Sequence, residues 1–99
     1  MKEPTFDRDG YPTDDTLETI KTWPVEDGLP TLFQFIKDAL HPMYARYNEL
    51  CDGTIEIATG GWSGNEDVIA AFQQNVILWS VVWVSSHRGG RFIFRKPKL

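Results

Sequence analysis

Two histidines and one cysteine are the whole supply of imidazole and thiol in these 99 residues. Cys51, His41 and His87 show neither Cys-x-x-Cys nor His-x-x-x-His spacing, and the carboxylates are scattered. A structural zinc site is therefore excluded, and no metal or other cofactor is expected. A lone cysteine forms no intrachain disulfide and fits a reducing compartment. Long apolar runs are also missing. Val76–Trp79 and Val81–Val84 are separated by Ser80 and fall far short of the ~20 residues that cross a bilayer. The first ten residues hold acids, Pro4 and Gly10 where a secretory signal needs an apolar core, so the expected location is the cytoplasm, with no membrane attachment.

Acid is absent from the last third of the chain. Residues 1–67 carry all fourteen Asp and Glu against five bases, a balance of −9, while residues 68–99 carry five bases and no acid, a balance of +5. The chain is a charge dipole in sequence. In space, the acidic part either packs beside the basic tail and neutralises it or leaves two oppositely charged surfaces.

What is present describes one domain. Hydrophobic residues make up 41% and charged residues 24%, enough for one core but not two, and thirteen aromatics make that core depend on large rings. Residues 1–12 read as an extended, weakly held N-terminal arm with Phe6 and Tyr11 as its anchors, and 13–99 as a single domain. Thr13 offers an N-cap, Asp14 and Asp15 suit a first helical turn, and Leu17, Ile20 and Trp23 recur until Pro24, predicting a helix over 14–22. After the Glu26-Asp27-Gly28 turn, Leu29, Leu32, Phe33, Ile36 and Leu40 share one helical face, which His41-Pro42 ends. Cys51-Asp52-Gly53 reads as the turn of a β-hairpin, with Ile55 and Ile57 on one face of its second strand.

A third helix over about 65–74 buries Val68, Ile69, Ala71 and Phe72. Val76–His87, rich in Val, Ile and Trp, predicts a long strand. Arg88-Gly89-Gly90-Arg91 predicts a two-residue turn into a returning strand with Phe92, Ile93 and Phe94. The order is α-α-β-β-α-β-β: an α+β domain with a mostly antiparallel four-stranded sheet packed with helices. Both faces of the 76–94 hairpin would be apolar, so helices must cover both or a partner one of them.

The pivotal stretch is Thr59-Gly60-Gly61-Trp62-Ser63-Gly64-Asn65-Glu66-Asp67, where strand turns to helix. Gly61 and Gly64 supply backbone freedom, and Ser63 or Asn65 is placed to cap the following helix. Gly61-Trp62-Ser63-Gly64-Asn65 invites comparison with a nucleophile elbow, but that pattern needs glycine at 65 and a large parallel sheet, and no spacing brings His41 or His87 to Ser63. No catalytic set is found, so an enzyme is not expected. A glycine-rich turn at a helix start also suits anions, yet the Gly-Lys-Ser/Thr ending of a phosphate loop is missing, and Glu66 and Asp67 repel phosphate. Trp62 reads as a ring folded over the sheet or as a stacking platform. Ser85, Ser86, His87, Arg88 and Arg91, with Arg95, Lys96 and Lys98, read as a solvated hairpin tip or as a basic finger for an acidic partner or a nucleic-acid backbone.

Thr59–Glu66, an apolar helix, then Trp83-Val84-Ser85-Ser86-His87-Arg88-Gly89-Gly90 and an aromatic strand together resemble a family of small phage and prophage proteins. The resemblance reaches back to Trp23-Pro24. It implies a phage-derived context and a host-cell location, where small acidic proteins bind host factors, sometimes as inhibitors of defence systems. It implies no cofactor and no catalytic residue. The family pattern has histidine after the tip glycines, where this chain has Arg91. Two functions follow as expectations. The first is a non-enzymatic protein that binds and modulates a host or phage protein, with a homodimer also open. The second is a nucleic-acid or anion-binding module built on the basic 85–98 hairpin. The net charge of −4 argues against tight binding to a polyanion.

Overall fold

Thr13 opens the first helix as its residue type predicts, its hydroxyl accepting the Thr16 amide at 3.3 Å. The structure, a computed structural model, describes residues 3–96. Helix α1 runs Asp14–Lys21, with Asp14 and Asp15 at its positive end and Lys21 at its negative end, and it stops before Pro24. A single 3-10 turn, Val25–Asp27, leads to α2, Leu29–Ala39, which buries Leu32, Phe33, Phe35, Ile36 and Ala39. Strands β1, Arg46–Glu49, and β2, Thr54–Ala58, form the expected hairpin. Helix α3, Ser63–Gln74, buries Val68, Ile69, Ala71 and Phe72.

The long strand expected over 76–87 is a helix followed by a short strand. Helix α4 covers Val76–Val82, β3 covers Trp83–His87 and β4 covers Arg91–Arg95. The β-branched residues favoured a strand, but that preference depends on context. Here Leu78 and Val82, one helical turn apart, enter the core, while Val76, Ile77 and Val81 face outward. Asn75 links α3 to α4 and holds the break in place: its amide donates to the Ile20 carbonyl at 3.0 Å and to the Trp23 carbonyl at 3.2 Å. The 88–91 turn is also longer than expected. His87 pairs with Arg91, so Arg88, Gly89 and Gly90 form a three-residue loop, with positive φ at both glycines.

The four strands form one antiparallel sheet in the order β1-β2-β4-β3, which makes an α+β domain. Alternation along β2 and β4 sends Ile55, Ile57 and Phe94 into the core. Asn48, Glu56 and Ile93, paired across neighbouring strands, lie on the opposite face. Helices therefore cover one face, and the doubly apolar hairpin disappears because residues 76–82 are not in it. Phe33, Phe72 and Phe94 meet with centroids 5.4–5.7 Å apart, and Trp79 stands edge-on to Phe72 and Phe94 at 5.1 and 5.2 Å. Such pairs add ~0.5–1.5 kcal/mol each beyond their area.

The N-terminal arm is folded back rather than extended. Phe6 bridges Pro12, and the Asp7 amide donates to the Tyr11 carbonyl at 2.9 Å. The arm is held by threonines: the Thr5 amide donates to Thr16 Oγ1 at 2.8 Å, and Thr16 Oγ1 donates to the Thr5 carbonyl at 2.9 Å. Tyr11 anchors it as expected, whereas Phe6 remains exposed.

Candidate functional site

The Thr59–Glu66 loop is built around one buried hydroxyl. Thr59 Oγ1 donates to Glu66 Oε2 at 2.7 Å and accepts the Gly61 amide at 3.2 Å, which closes the turn on itself. Gly61 has φ +77° there. The Thr59 amide donates to the Gly90 carbonyl at 2.9 Å, tying the hairpin tip to this loop. A β-carbon at Gly90 would stand 2.2 Å from Thr59 Oγ1, so only glycine permits that approach.

Capping by Ser63 or Asn65 is not what the structure shows. Trp62 occupies the N-cap position of α3, and no side chain caps it. Asn65 is instead a buried cross-brace. Its Oδ1 accepts the His41 amide at 2.7 Å and its Nδ2 donates to the Thr59 carbonyl at 3.0 Å, joining the end of α2 to the loop. Ser63 Oγ donates to the Tyr11 hydroxyl at 3.1 Å. Both side chains are thus engaged with Tyr11, His41 and Thr59 rather than with the free amides of α3.

Trp62 does not lie over the sheet. Its ring covers Gly64, where a β-carbon would be 2.2 Å from the indole, and it meets Tyr11 at 4.6 Å, His41 at 5.2 Å and Tyr44 at 5.6 Å. His41 and Tyr44 are themselves 5.0 Å apart. Tyr11, His41 and Tyr44 were not legible as partners of Trp62, because the arm, the 41–44 turn and the Trp62 loop are three separate segments with no shared period. His41 does share this cluster with Ser63, but the serine hydroxyl is engaged by Tyr11, and His41 Nδ1 accepts the Met43 amide at 3.2 Å. The pair forms no nucleophile and base.

The basic hairpin lies at the same end of the sheet, since β1 begins, β2 ends, β3 ends and β4 begins there. Arg46, Ala58, Arg91 and His87 form one cross-strand row. Ser85 Oγ and His87 Nε2 are 2.9 Å apart, and Trp83 Nε1 donates to Ser86 Oγ at 2.9 Å. Arg91 Nε meets Glu56 Oε2 at 2.5 Å and Lys96 Nζ meets Glu49 Oε1 at 2.7 Å. Two of the C-terminal cations are thus paired on the exposed surface with acids of β1 and β2, while Arg88 makes no ion pair among the described residues. Lys98 lies outside the described residues. The Arg91 guanidinium, then the Asn48 amide, hold the Glu56 carboxyl below its ordinary value, and the Lys96 ammonium does the same for Glu49.

Depressions in the surface lie elsewhere. One of about 190 Å³ is lined by Glu3, Thr5, Asp15, Thr16 and Thr19, and one of about 180 Å³ by Lys37, Leu40, Pro42, Ala45 and Tyr47. Among the described residues, no group of three or more His, Cys, Asp or Glu is placed to hold a metal ion, and no helix is long and apolar enough to cross a membrane.

Compared with known families, with curated proteins and with solved structures, the chain matches none.

Proposed function

We propose that this chain is a small, non-enzymatic protein that binds and modulates a host or phage protein in the host cytoplasm, with inhibition of a defence system among the roles that a phage-derived context offers. The phage context rests on the resemblance of Thr59–Glu66 and Trp83–Gly90. The observation that carries the binding reading is the Thr59 amide to Gly90 carbonyl bond, which joins the loop and the tip. It sets the loop that carries Trp62, which stacks on Tyr44, and the tip that carries His87 and Arg88 at the same end of the sheet. Aromatic residues and arginine are the side chains most enriched in protein interfaces. Such a surface suits an acidic patch on a folded partner.

The row of Arg46, Arg91 and His87 favours a second reading, contact with a nucleic-acid backbone. Against it stand the Arg91–Glu56 pair and the net charge of −4.

The deciding experiment expresses the tagged chain in infected or lysogenic cells and compares its captured proteins with those of Arg88→Glu. A partner lost on charge reversal supports the proposal; identical captures from both overturn it. A mobility-shift titration across salt runs beside it. Sub-micromolar DNA binding, with log affinity falling by ~0.9 per neutralised phosphate against log salt and lost in Arg88→Ala with Arg91→Ala, would promote the second reading.

A further inference from the structure

Residues 68–87 contain no Asp, Glu, Lys or Arg, in a chain that is 24% charged. This stretch forms most of α3, all of α4 and β3. Its inward side chains complete the core, and beside the exposed Gln73, Gln74, Ser80, Ser86 and His87 several of its outward ones are also apolar. Val76, Ile77, Val81, Trp83 and Val84 are each between 45% and 69% exposed. The exposed apolar residues of α4 and β3 adjoin along the chain, because Trp83 is both the C-cap of α4 and the first residue of the strand.

Strand β3 is an edge of the sheet, and so is β1. The two edges differ in chemistry. Strand β1 carries Arg46 and Glu49, and charge is a common guard against edge-to-edge pairing. Strand β3, Trp-Val-Ser-Ser-His, has no proline and no formal charge. A register shift at Val84 disturbs its start, but Ser85, Ser86 and His87 pair regularly with Ile93, Phe92 and Arg91, leaving the outer side of that segment open.

We propose that this surface binds a second copy of the same chain, with the β3 edges antiparallel across a two-fold axis and the outward faces of α4 packed beside them. The absence of charge selects this occupant. Two chains of net charge −4 repel each other, and an isologous contact brings identical groups close; across residues 76–86 no like charges meet. A charged partner would find nothing here to complement. The exposed apolar groups offer on the order of 400 Å² per chain, about half of the ~800 Å² per partner in a standard interface. The open backbone of β3, with Ser80 and Ser86, adds polar area to this, as suits a dimer that forms with rising concentration. Antiparallel pairing joins two four-stranded sheets into one and directs the two Arg88–Gly90 tips to its opposite ends, leaving both free for the contact proposed above.

The test is the mass of the full chain in solution from about 1 to 300 μM, by sedimentation or light scattering. The expected result is a concentration-dependent rise from 11.3 kDa to twice that value, unweakened by salt. Val81→Lys and Val84→Lys, both at exposed positions, should each return the protein to the monomer mass with an unchanged circular dichroism spectrum. In case a lysine variant fails to fold, Val84→Cys, Ser85→Cys and Ser86→Cys are each combined with Cys51→Ser and oxidised mildly, alone and as mixed pairs. A disulfide-linked dimer through at least one of these positions is expected. A monomer throughout the range, a dimer indifferent to both lysines, or no cross-link at any of the three positions overturns the proposal.

Discussion

Gly90 and Thr59 touch backbone to backbone: the Thr59 amide donates to the Gly90 carbonyl at 2.9 Å, and a β-carbon at Gly90 would lie 2.2 Å from the Thr59 hydroxyl and 3.1 Å from Glu66 Oε2. Thirty-one positions of sequence separate them, yet the turn after β2 and the turn before β4 form one unit. Gly90→Ala combines a φ of +78° with that clash, whereas Gly89, at φ +85°, has open space around its β-carbon position. Gly89→Ala should cost about 1 kcal/mol and Gly90→Ala ~2–3 kcal/mol or more. Urea melts of the two variants make the comparison; equal losses would contradict the packing role of Gly90.

The brace made by Asn65 gives a second comparison. Asn65→Ala leaves the His41 amide and the Thr59 carbonyl without the partners that Asn65 provides, while Ser63→Ala removes one exposed contact with Tyr11. The first should cost ~2–4 kcal/mol and the second under about 1 kcal/mol. Thermal unfolding of both reads this directly, and a Ser63 effect as large as that of Asn65 would restore the capping role expected from sequence.

Trp79 and Trp83 should separate cleanly. Trp79 packs on Phe72, Phe92 and Phe94, so Trp79→Ala should cost ~3–5 kcal/mol. Trp83 is among the exposed apolar residues, so Trp83→Ala should leave the stability of the isolated monomer within about 1 kcal/mol of the parent. Denaturation at low micromolar concentration distinguishes them.

Stability should fall at both ends of the pH scale. Glu49, Asp52 and Glu56 have folded pKa values below their ordinary ones, because of Lys96, Thr54 and Arg91 respectively. Their contribution is therefore present above the usual carboxylate range and is lost as pH falls through the depressed values. Tyr47 is pushed up to about 12 by burial and then by the charge of Glu49. Its neutral form is favoured in the fold, so stability is full below the ordinary pKa of 10.0 and declines as pH rises from there toward about 12. A melting-temperature profile from acid to alkali checks both limbs; in Glu56→Gln the acid limb should be shallower.

Much of this fold was determined locally. Thr13, Pro24, His41-Pro42 and the Cys51-Asp52-Gly53 turn act within one or two peptide units, through caps and restricted φ, so α1, the end of α2 and the turn of the first hairpin were legible locally. The four-stranded sheet followed from the two hairpin turns and from Ile55 and Ile57 sharing one face, although the third strand is shorter than expected. Three decisions belonged to the tertiary structure. Residues 76–82 have side chains suited to a strand, and became helical because the core accepts Leu78 and Val82 one turn apart while Asn75 anchors the break on carbonyls more than fifty positions away. Asn65 has the chemistry of a cap, but its acceptor and donor were claimed by His41 and Thr59, which only the packing of α2 against the loop brings near. The Tyr11, His41, Tyr44 and Trp62 cluster has no period at all, since its rings arrive from separate segments. Local sequence sets dihedral preferences; which hydrogen-bonding group meets which partner is set by contacts between distant segments, and there the candidate site was made.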